Sequence, residues 1–285
     1  MSGRHTADAP RDVDVFGGMP RFHLPPESWP EPGPDGGPPE GSEVRLEGQE
    51  AAHVRVLRLK PGDAVLLLDG AGRIGRCRLL EVGRKEARLA LSGWSFQPRP
   101  ASQAIVALAL SKAVRRGFFM EKAVELGAYG VWLWQGDYSQ GRLAENAARA
   151  CAGQMIAGAK QCGNPWLPEV RALDGIGAVT RLAASVDYRL LPWERREGVA
   201  MLEPGMIGRA GTTVYVIGPE GGFSPRELAA LREAAFTPVS LGSRILRCET
   251  AAALVLGLHW WASQLPGAPD FHAPGGKSGM EGPLP

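Results

Sequence analysis

Hydrophobic and polar positions change period several times along the chain, and each change marks an element. Between Glu43 and Trp94 the apolar residues come in short runs: Ala64 to Leu68, Arg76 to Val82, then Ala87, Leu89 and Leu91. The last two segments alternate, as strands with one buried face do. Pro61-Gly62-Asp63 supplies a turn, and a short helix is expected over Gln49 to Leu57. This stretch predicts a small β-barrel. From Ala104 the pattern shifts. Ala104 to Leu110 and Val131 to Trp134 are continuous apolar runs, the form taken by strands buried on both faces. Between them Phe119, Ala123 and Leu126 recur at helical spacing, and Gly127 is placed as the C′ residue. Arg142 to Cys162 reads as an Ala-rich helix closed by Gly163-Asn164-Pro165, and Asp187 to Leu191 as a strand running into Pro192-Trp193-Glu194. Strands alternating with helices predict an α/β domain with a parallel sheet.

The stretch from Val214 to Leu258 carries the densest signals. Val214 to Ile217 is a strand that stops at Gly218-Pro219-Glu220-Gly221-Gly222. A helix then starts with Ser224 as N-cap, Pro225 at N1 and Glu227 completing a capping box, with Phe223 and Leu228 available as a hydrophobic staple. Pro238 to Leu241 reads as another buried strand, opening into Gly242-Ser243-Arg244-Ile245-Leu246-Arg247, and a last apolar helix begins near Glu249-Thr250. Two glycine loops at neighbouring strand ends would let backbone groups approach a ligand closely, where open α/β sheets bind their ligands. Two ordinary tight turns are the plain alternative.

Two nucleotide fingerprints are set aside. No G-x-x-x-x-G-K-[ST] occurs. Gly70-Ala71-Gly72-Arg73-Ile74-Gly75 is formally G-x-G-x-x-G, but Arg76 to Gly83 after it is short, alternating and ended by glycine. A dinucleotide site needs a helix there, so this is read as a hairpin.

At 285 residues and 44% hydrophobic content the chain has material for two cores. A net charge of +2 neither demands nor forbids nucleic acid. Cys77, Cys151, Cys162 and Cys248 are widely spaced with no C-x-x-C pair, which argues against zinc and disulfides and for a reducing cytoplasm. The longest apolar run, Ala251 to Ala262, is too short for a bilayer span, and no signal peptide is visible, so the expectation is a cytoplasmic protein. No cluster of His, Asp, Glu and Cys suggests a metal. Residues 1–18 are expected as a disordered extension, 19–97 as the barrel, 102–265 as the α/β domain beyond a Pro98-Arg99-Pro100 linker, and 266–285 as a flexible tail. His259 on the last helix reads as a satisfied core histidine, and Cys248 as core.

Ile217-Gly218-Pro219-Glu220-Gly221-Gly222-Phe223-Ser224-Pro225-Arg226-Glu227-Leu228, followed by Leu241-Gly242-Ser243-Arg244-Ile245-Leu246-Arg247-Cys248-Glu249-Thr250, resembles the C-terminal part of the SPOUT methyltransferases. More narrowly it resembles the ribosomal RNA small-subunit methyltransferase E family, which methylates N3 of a uridine in 16S rRNA. Met19 to Phe22, His53, Val56 to Lys60, Glu121 to Ala123, Glu125 to Gly127 and Leu167 to Val170 extend the resemblance through both halves. It implies a PUA-like RNA-binding barrel followed by a SPOUT α/β domain whose last helix threads a deep trefoil knot. It also implies a homodimer, with Leu254, Leu258 and Trp261 open between dimer seam and core.

The resemblance further implies S-adenosyl-L-methionine as methyl donor. Its adenine would lie against Gly218, Leu241, Ile245 and Leu246, walled by Leu190, Leu191 and Pro192. Ile217 and Gly242 border that space, and Glu220, Gly221 and Gly222 shape the methionine side. Glu220 is the candidate general base, with a structural anchor as its alternative role. Arg247 is a candidate for substrate or a cofactor carboxylate. RNA contacts are expected from Arg21, Arg55, Arg58 and Lys60 on the barrel and from Lys112, Arg115 and Arg116 near the strand ends.

The sequence departs from the family pattern in two places. Lys160-Gln161-Cys162-Gly163-Asn164 stands where the family usually shows Glu-Gln-Ser-Gly-Arg, and Tyr138-Ser139 where it tends to have Arg-Ser. The substrate side therefore reads as altered. That keeps two rivals to methylation of 16S rRNA within the small ribosomal subunit: another SPOUT activity on 23S rRNA or tRNA, and a non-catalytic RNA-binding ribosome-assembly factor.

Overall fold

The computed structural model describes residues 18–110, 113–144, 146–194 and 199–265. The expected terminal extension up to residue 17, the tail from residue 266 and Lys112 lie outside the described residues.

The N-terminal half holds β1 (Arg21–His23), β2 (Glu43–Glu47), α1 (Gly48–Val56), β3 (Ala64–Leu68), β4 (Arg73–Val82) and β5 (Glu86–Phe96). They form one curled sheet in the order β1-β3-β4-β5-β2. Its core gathers Phe22, Val44, Leu46, Val65, Leu67, Leu79 and Leu89 from its strands, taken at alternate positions where a strand gives two, and Trp29 from the turn after β1. The edges β1 and β2 do not pair with each other. Instead α1, which follows β2 directly, reaches β1: the backbone N–H of His23 donates to Glu50 at 3.1 Å. The expected barrel is thus a sheet bridged across its opening by a helix.

The C-terminal half holds β6 (Ser102–Ala109), α2 (Ala113–Glu125), β7 (Gly130–Trp134), α3 (Ala152–Cys162), β8 (Glu169–Leu173), α4 (Ile176–Ala183), β9 (Tyr188–Pro192), β10 (Gly211–Ile217), α5 (Pro225–Glu233), β11 (Thr237–Val239) and α6 (Cys248–Ser263). The strands make a six-stranded sheet in the order β11-β9-β10-β6-β7-β8, with every pairing parallel. All strands therefore end at one edge. Each buried run splits its side chains between two cores, as the period of two requires. Val106, Leu108, Val131, Leu133, Tyr215 and Ile217 face α2, α3 and α6. Ile105, Ala107, Trp132, Trp134, Val214 and Val216 face α4 and α5. The result is a three-layer sandwich.

Two expectations change here. The Ala-rich helix starts at Ala152, after a 3-10 turn at Arg149–Cys151, and not at Arg142. Ahead of it the chain forms a loop in which the Gln135 side chain accepts from the N–H of Leu143 at 2.8 Å and donates to the carbonyl of Gly141 at 3.1 Å. The second is α4, absent from the sequence reading although Ile176, Val179 and Ala183 stand at helical spacing and all face the core.

The G-x-G-x-x-G stretch is a hairpin connection, with β3 and β4 antiparallel on either side. Its role is to dock the two halves. The Gly72 N–H donates to Pro165 at 3.0 Å, Leu167 donates to Gly70 at 2.9 Å, and Ala71 bridges Trp166. Gly72 has φ +103°, and a Cβ there would lie 2.4 Å from the Trp166 ring. Trp166 also donates from Nε1 to Gln97 at 2.9 Å and lies under the Arg99 guanidinium, 4.0 Å from its ring centroid.

Candidate functional site

The carboxyl edge of the parallel sheet collects the predicted site. Leu190 to Pro192 end β9, Ile217 ends β10, and Val239 ends β11. β9 lies between the other two, with Tyr215 paired to Leu190 and Val239 to Pro192. The loops Gly218–Gly222 and Ser240–Arg247 therefore leave the sheet on either side of Leu190-Leu191-Pro192, as the three-walled arrangement requires. Gly222 and Gly242 have φ of +76° and +113°, and no atom stands within 4 Å of a Cβ built at either. Open space borders the backbone at both, where a ligand can approach. Ile245, 84% exposed, adds apolar surface on the second loop.

The first loop is anchored from below. Ser224 caps α5 as expected: it accepts from the Glu227 N–H at 3.2 Å, while Glu227 accepts from the Ser224 N–H at 2.8 Å. Glu227 is buried and uses its other oxygen on the Asp137 N–H at 2.8 Å. Asp137 accepts from the Ser224 hydroxyl at 2.6 Å and from Arg226 at 2.7 Å. The Ser224 bond first, and Arg226 second, hold its carboxyl below the usual carboxylate range. Phe223 does not serve as a simple staple. Its ring is stacked between Trp134 and Trp193, and it fills the space a side chain at Gly218 would need, 2.7 Å from that Cβ position.

Glu220 is paired with Arg115 at 2.5 Å, and the same guanidinium reaches Glu249 at 3.6 Å. This triad ties the glycine loop to α2 and to the first turn of α6. Glu249 and Asp137 escaped the sequence reading, although an acidic residue in a first helical turn is a signal of its own. Arg247 is the exposed N-cap of α6. Cys248 is buried, with its Sγ 3.2 Å from a Glu249 oxygen. Burial first, then the carboxylate, pushes its thiol up to about 12, so a thiolate nucleophile is not available there. His259 is indeed core, 2.9 Å from both the Ser102 and the Tyr215 hydroxyls.

The predicted RNA residues that are described stand on both halves, as the two expected sets. Arg21 donates to the carbonyl of Gln161 at 3.5 Å, at the junction of the two halves. Arg55 donates to Arg84 at 2.7 Å, fastening α1 to the β4–β5 turn. Arg58, at φ +57°, and Lys60 are exposed just beyond α1. Arg115 belongs to the acidic triad above, and Arg116 borders Cys151, whose titration it influences. Lys160 and Asn164, where the sequence departs from the family pattern, have partners near the junction of the two halves. Lys160 pairs with Glu50 at 2.6 Å, and Asn164 bonds Val124 at 2.9 Å and Trp166 at 3.0 Å. Among the described residues no group of three or more His, Cys, Asp or Glu could hold a metal, and no helix is long and apolar enough to cross a membrane.

Comparison with known proteins fits this arrangement. Residues 97–260 match the family model of an RNA methyltransferase domain, and residues 46–92 that of an RNA methyltransferase PUA domain. Ribosomal RNA small subunit methyltransferase E of Mycobacterium bovis is 33% identical over 235 residues, covering 77% of this chain and 87% of the relative. The Bacillus subtilis protein of the same name is 23% identical over 237 residues, covering 79% and 93%. Among solved structures, ribosomal RNA small subunit methyltransferase E from Neisseria gonorrhoeae, bound to S-adenosyl methionine, aligns with a TM-score of 0.70 at 26% identity, over 84% of this chain and 95% of the other. With a matching catalytic-domain model over more than half its length and a 33%-identical relative, the chain belongs to the ribosomal RNA small subunit methyltransferase E family.

Proposed function

We propose that this protein methylates N3 of a uridine in 16S rRNA of the small ribosomal subunit, with S-adenosyl-L-methionine as donor, in the cytoplasm. The observation that carries the reading is the pair of glycine loops at the ends of β10 and β11, flanking Leu190-Leu191-Pro192, in a chain of this family. The open backbone at Gly222 and Gly242 and the exposed Ile245 fit a ligand with both polar and apolar parts. When bound, the cofactor supplies an electrophilic methyl group on sulfur. Gly218, Leu241, Gly242, Ile245 and Leu246 would hold its adenine, with Ile217 and the β9 end beneath. Glu220, Gly221 and Gly222 would line its amino-acid end.

Methyl transfer to N3 requires the loss of the N3 proton, and a fixed acceptor speeds it. Glu220 is the proposed acceptor. Its pairing with Arg115 fixes where the carboxylate stands, and Arg247 would take an anionic group of the substrate or cofactor. Arg21, Arg55, Arg58, Lys60, Lys112, Arg115 and Arg116 remain the proposed RNA contacts. Those whose guanidinium already holds a carbonyl or carboxylate act mainly by shaping the surface. We take 19–97 and 102–265 as the two domains, since the chain between β5 and β6 crosses in a few residues.

We further infer the trefoil knot and the homodimer. In support of the knot, the segment leaving β9 bonds alongside Ser240 through Ala200 and Leu202, then presses Gly208 against Ala262 at the end of α6 before entering β10. In support of the dimer, Leu254 and Trp261 on one stripe of α6 are 36% and 49% exposed, so they are not core. The test is incubation with S-adenosylmethionine and small subunits lacking the modification, followed by digestion and mass spectrometry for 3-methyluridine. Its appearance, and its loss in Glu220→Gln, is the expected result. Product on 23S rRNA or tRNA alone, or cofactor binding without turnover on any RNA, would replace the reading.

A further inference from the structure

We propose that Tyr138 is a stacking platform for a base of the RNA substrate at the rim of the catalytic edge, an inference that rests on the RNA methyltransferase reading. Tyr138 follows β7, whose end lies at the same sheet edge as the two glycine loops. The residue is 53% exposed. The backbone that carries it is nevertheless tied on both sides of the residue. The Asp137 N–H donates to buried Glu227, the Asp137 carboxylate takes Ser224 and Arg226, and Ser139 closes a turn onto Gly136 through its N–H and its hydroxyl, both at 3.1 Å. Pro219 packs on Gly136, where a Cβ would lie 3.1 Å away.

The stem of Tyr138 lies directly on the loop proposed to shape the methionine side. A Cβ built at Gly221 would meet the Tyr138 Cβ at 2.8 Å, so residue 221 must be glycine for the tyrosine to stand there. A core or packing role would bury the ring. Here the stem is fixed and the ring is presented.

A uridine inside folded RNA must leave its stack to reach an active site, and its neighbours then lose a stacking partner. A pre-positioned aromatic ring replaces that partner with little further ordering of the protein. Arg142, exposed in the chain that follows β7, supplies a cation for flanking phosphates, while the charge of Arg226 is already met by Asp137.

The test is filter binding of a radiolabelled 16S rRNA transcript to wild type, Tyr138→Ala and Tyr138→Phe at several salt concentrations. Methyl transfer, thermal stability and calorimetric titration with S-adenosylmethionine are measured alongside. The proposal expects Tyr138→Ala to bind RNA about 5- to 150-fold more weakly, the equivalent of ~1–3 kcal/mol for one base–aromatic stack. The slope of log affinity against log salt should not change, since no phosphate contact is lost. Tyr138→Phe should stay within about twofold of wild type, because stacking needs the ring and not the hydroxyl. Cofactor affinity and melting temperature should match wild type in both variants. Unchanged RNA binding by Tyr138→Ala overturns the proposal, as does equal loss in Tyr138→Phe. A change of association state in sedimentation velocity overturns it too, by assigning the ring to a second copy of the chain. Wild type that binds RNA through Tyr138 yet transfers no methyl would leave the stack standing and remove the transferase reading instead.

Discussion

Lowering the pH should weaken this fold through one residue, His259. Its ring is buried beneath α6 with a hydroxyl on each nitrogen, Ser102 at Nε2 and Tyr215 at Nδ1. Both hydroxyls can turn to suit either tautomer, and removal from water is what lowers the imidazole from 6.5 to about 4. The unfolded chain therefore holds a proton below 6.5 that the folded chain refuses until about 4. The stability linked to His259 is whole above 6.5 and is lost as pH falls through 4. At about 1.4 kcal/mol per tenfold change in proton affinity, the full loss is ~3 kcal/mol, of which ~2 kcal/mol is gone by about pH 5. Carboxylates titrate in the same range, so the measurement is a difference. Urea unfolding of wild type and His259→Gln is compared at about pH 7.5 and about pH 5. The variant starts weaker because its side chain fits the two hydroxyls less well, and the gap between the two proteins should narrow by ~2 kcal/mol at the lower pH. A gap that stays constant would refute the reasoning, since it would mean His259 takes up its proton equally in both states.

Three further outcomes follow from the geometry. Gly72→Ala places a methyl within 2.4 Å of the Trp166 ring at a φ of +103°, and should cost at least ~2 kcal/mol in urea unfolding; a loss below ~0.5 kcal/mol would show that the junction yields. Ser224→Ala removes both the cap of α5 and a bond to Asp137, and should lower stability by about 1–2 kcal/mol by thermal melting, more than an average surface change. Lys160 and Glu50, each mostly buried, should show about 1–2 kcal/mol of coupling in a double-mutant cycle with Lys160→Met and Glu50→Gln; additive losses would mean the pair does not hold the two halves together.

What could be read from the sequence was what neighbours decide. The capping box of α5 depends on residues three apart, and it forms atom for atom as expected. The glycine loops are legible for the same reason, because strand, loop and cap lie in one short stretch. What escaped depends on partners far away in the chain. Arg115 meets Glu220 across 105 positions and Asp137 meets Glu227 across 90, and no local pattern joins them. The Ala-rich pattern runs ten residues ahead of the helix itself, and the loop that occupies the difference takes bonds from Gln135, which lies outside the pattern. Lys160 and Asn164 suggested an altered substrate side, since sequence position gave no sign that α3 packs against the barrel. Lys160 meets Glu50 on α1 of the barrel, whereas Asn164 bonds Val124 on α2 and Trp166, which itself meets the docking loop.

That docking loop makes the molecule behave as a caliper. Gly70 and Gly72 let two backbones join in hydrogen bonds, and Trp166 is clasped by Gln97 and Arg99. These contacts tie the curled sheet to the domain that carries the carboxyl edge of the parallel sheet, and so set the separation between the two surfaces. On the proposed reading, an unfolded RNA strand could satisfy either jaw but would seldom satisfy both at once. A folded RNA that holds its uridine at the matching distance from a second feature would satisfy both together. Substrate choice would then be a measurement of shape, and the time of methylation would be set by when the RNA reaches that shape.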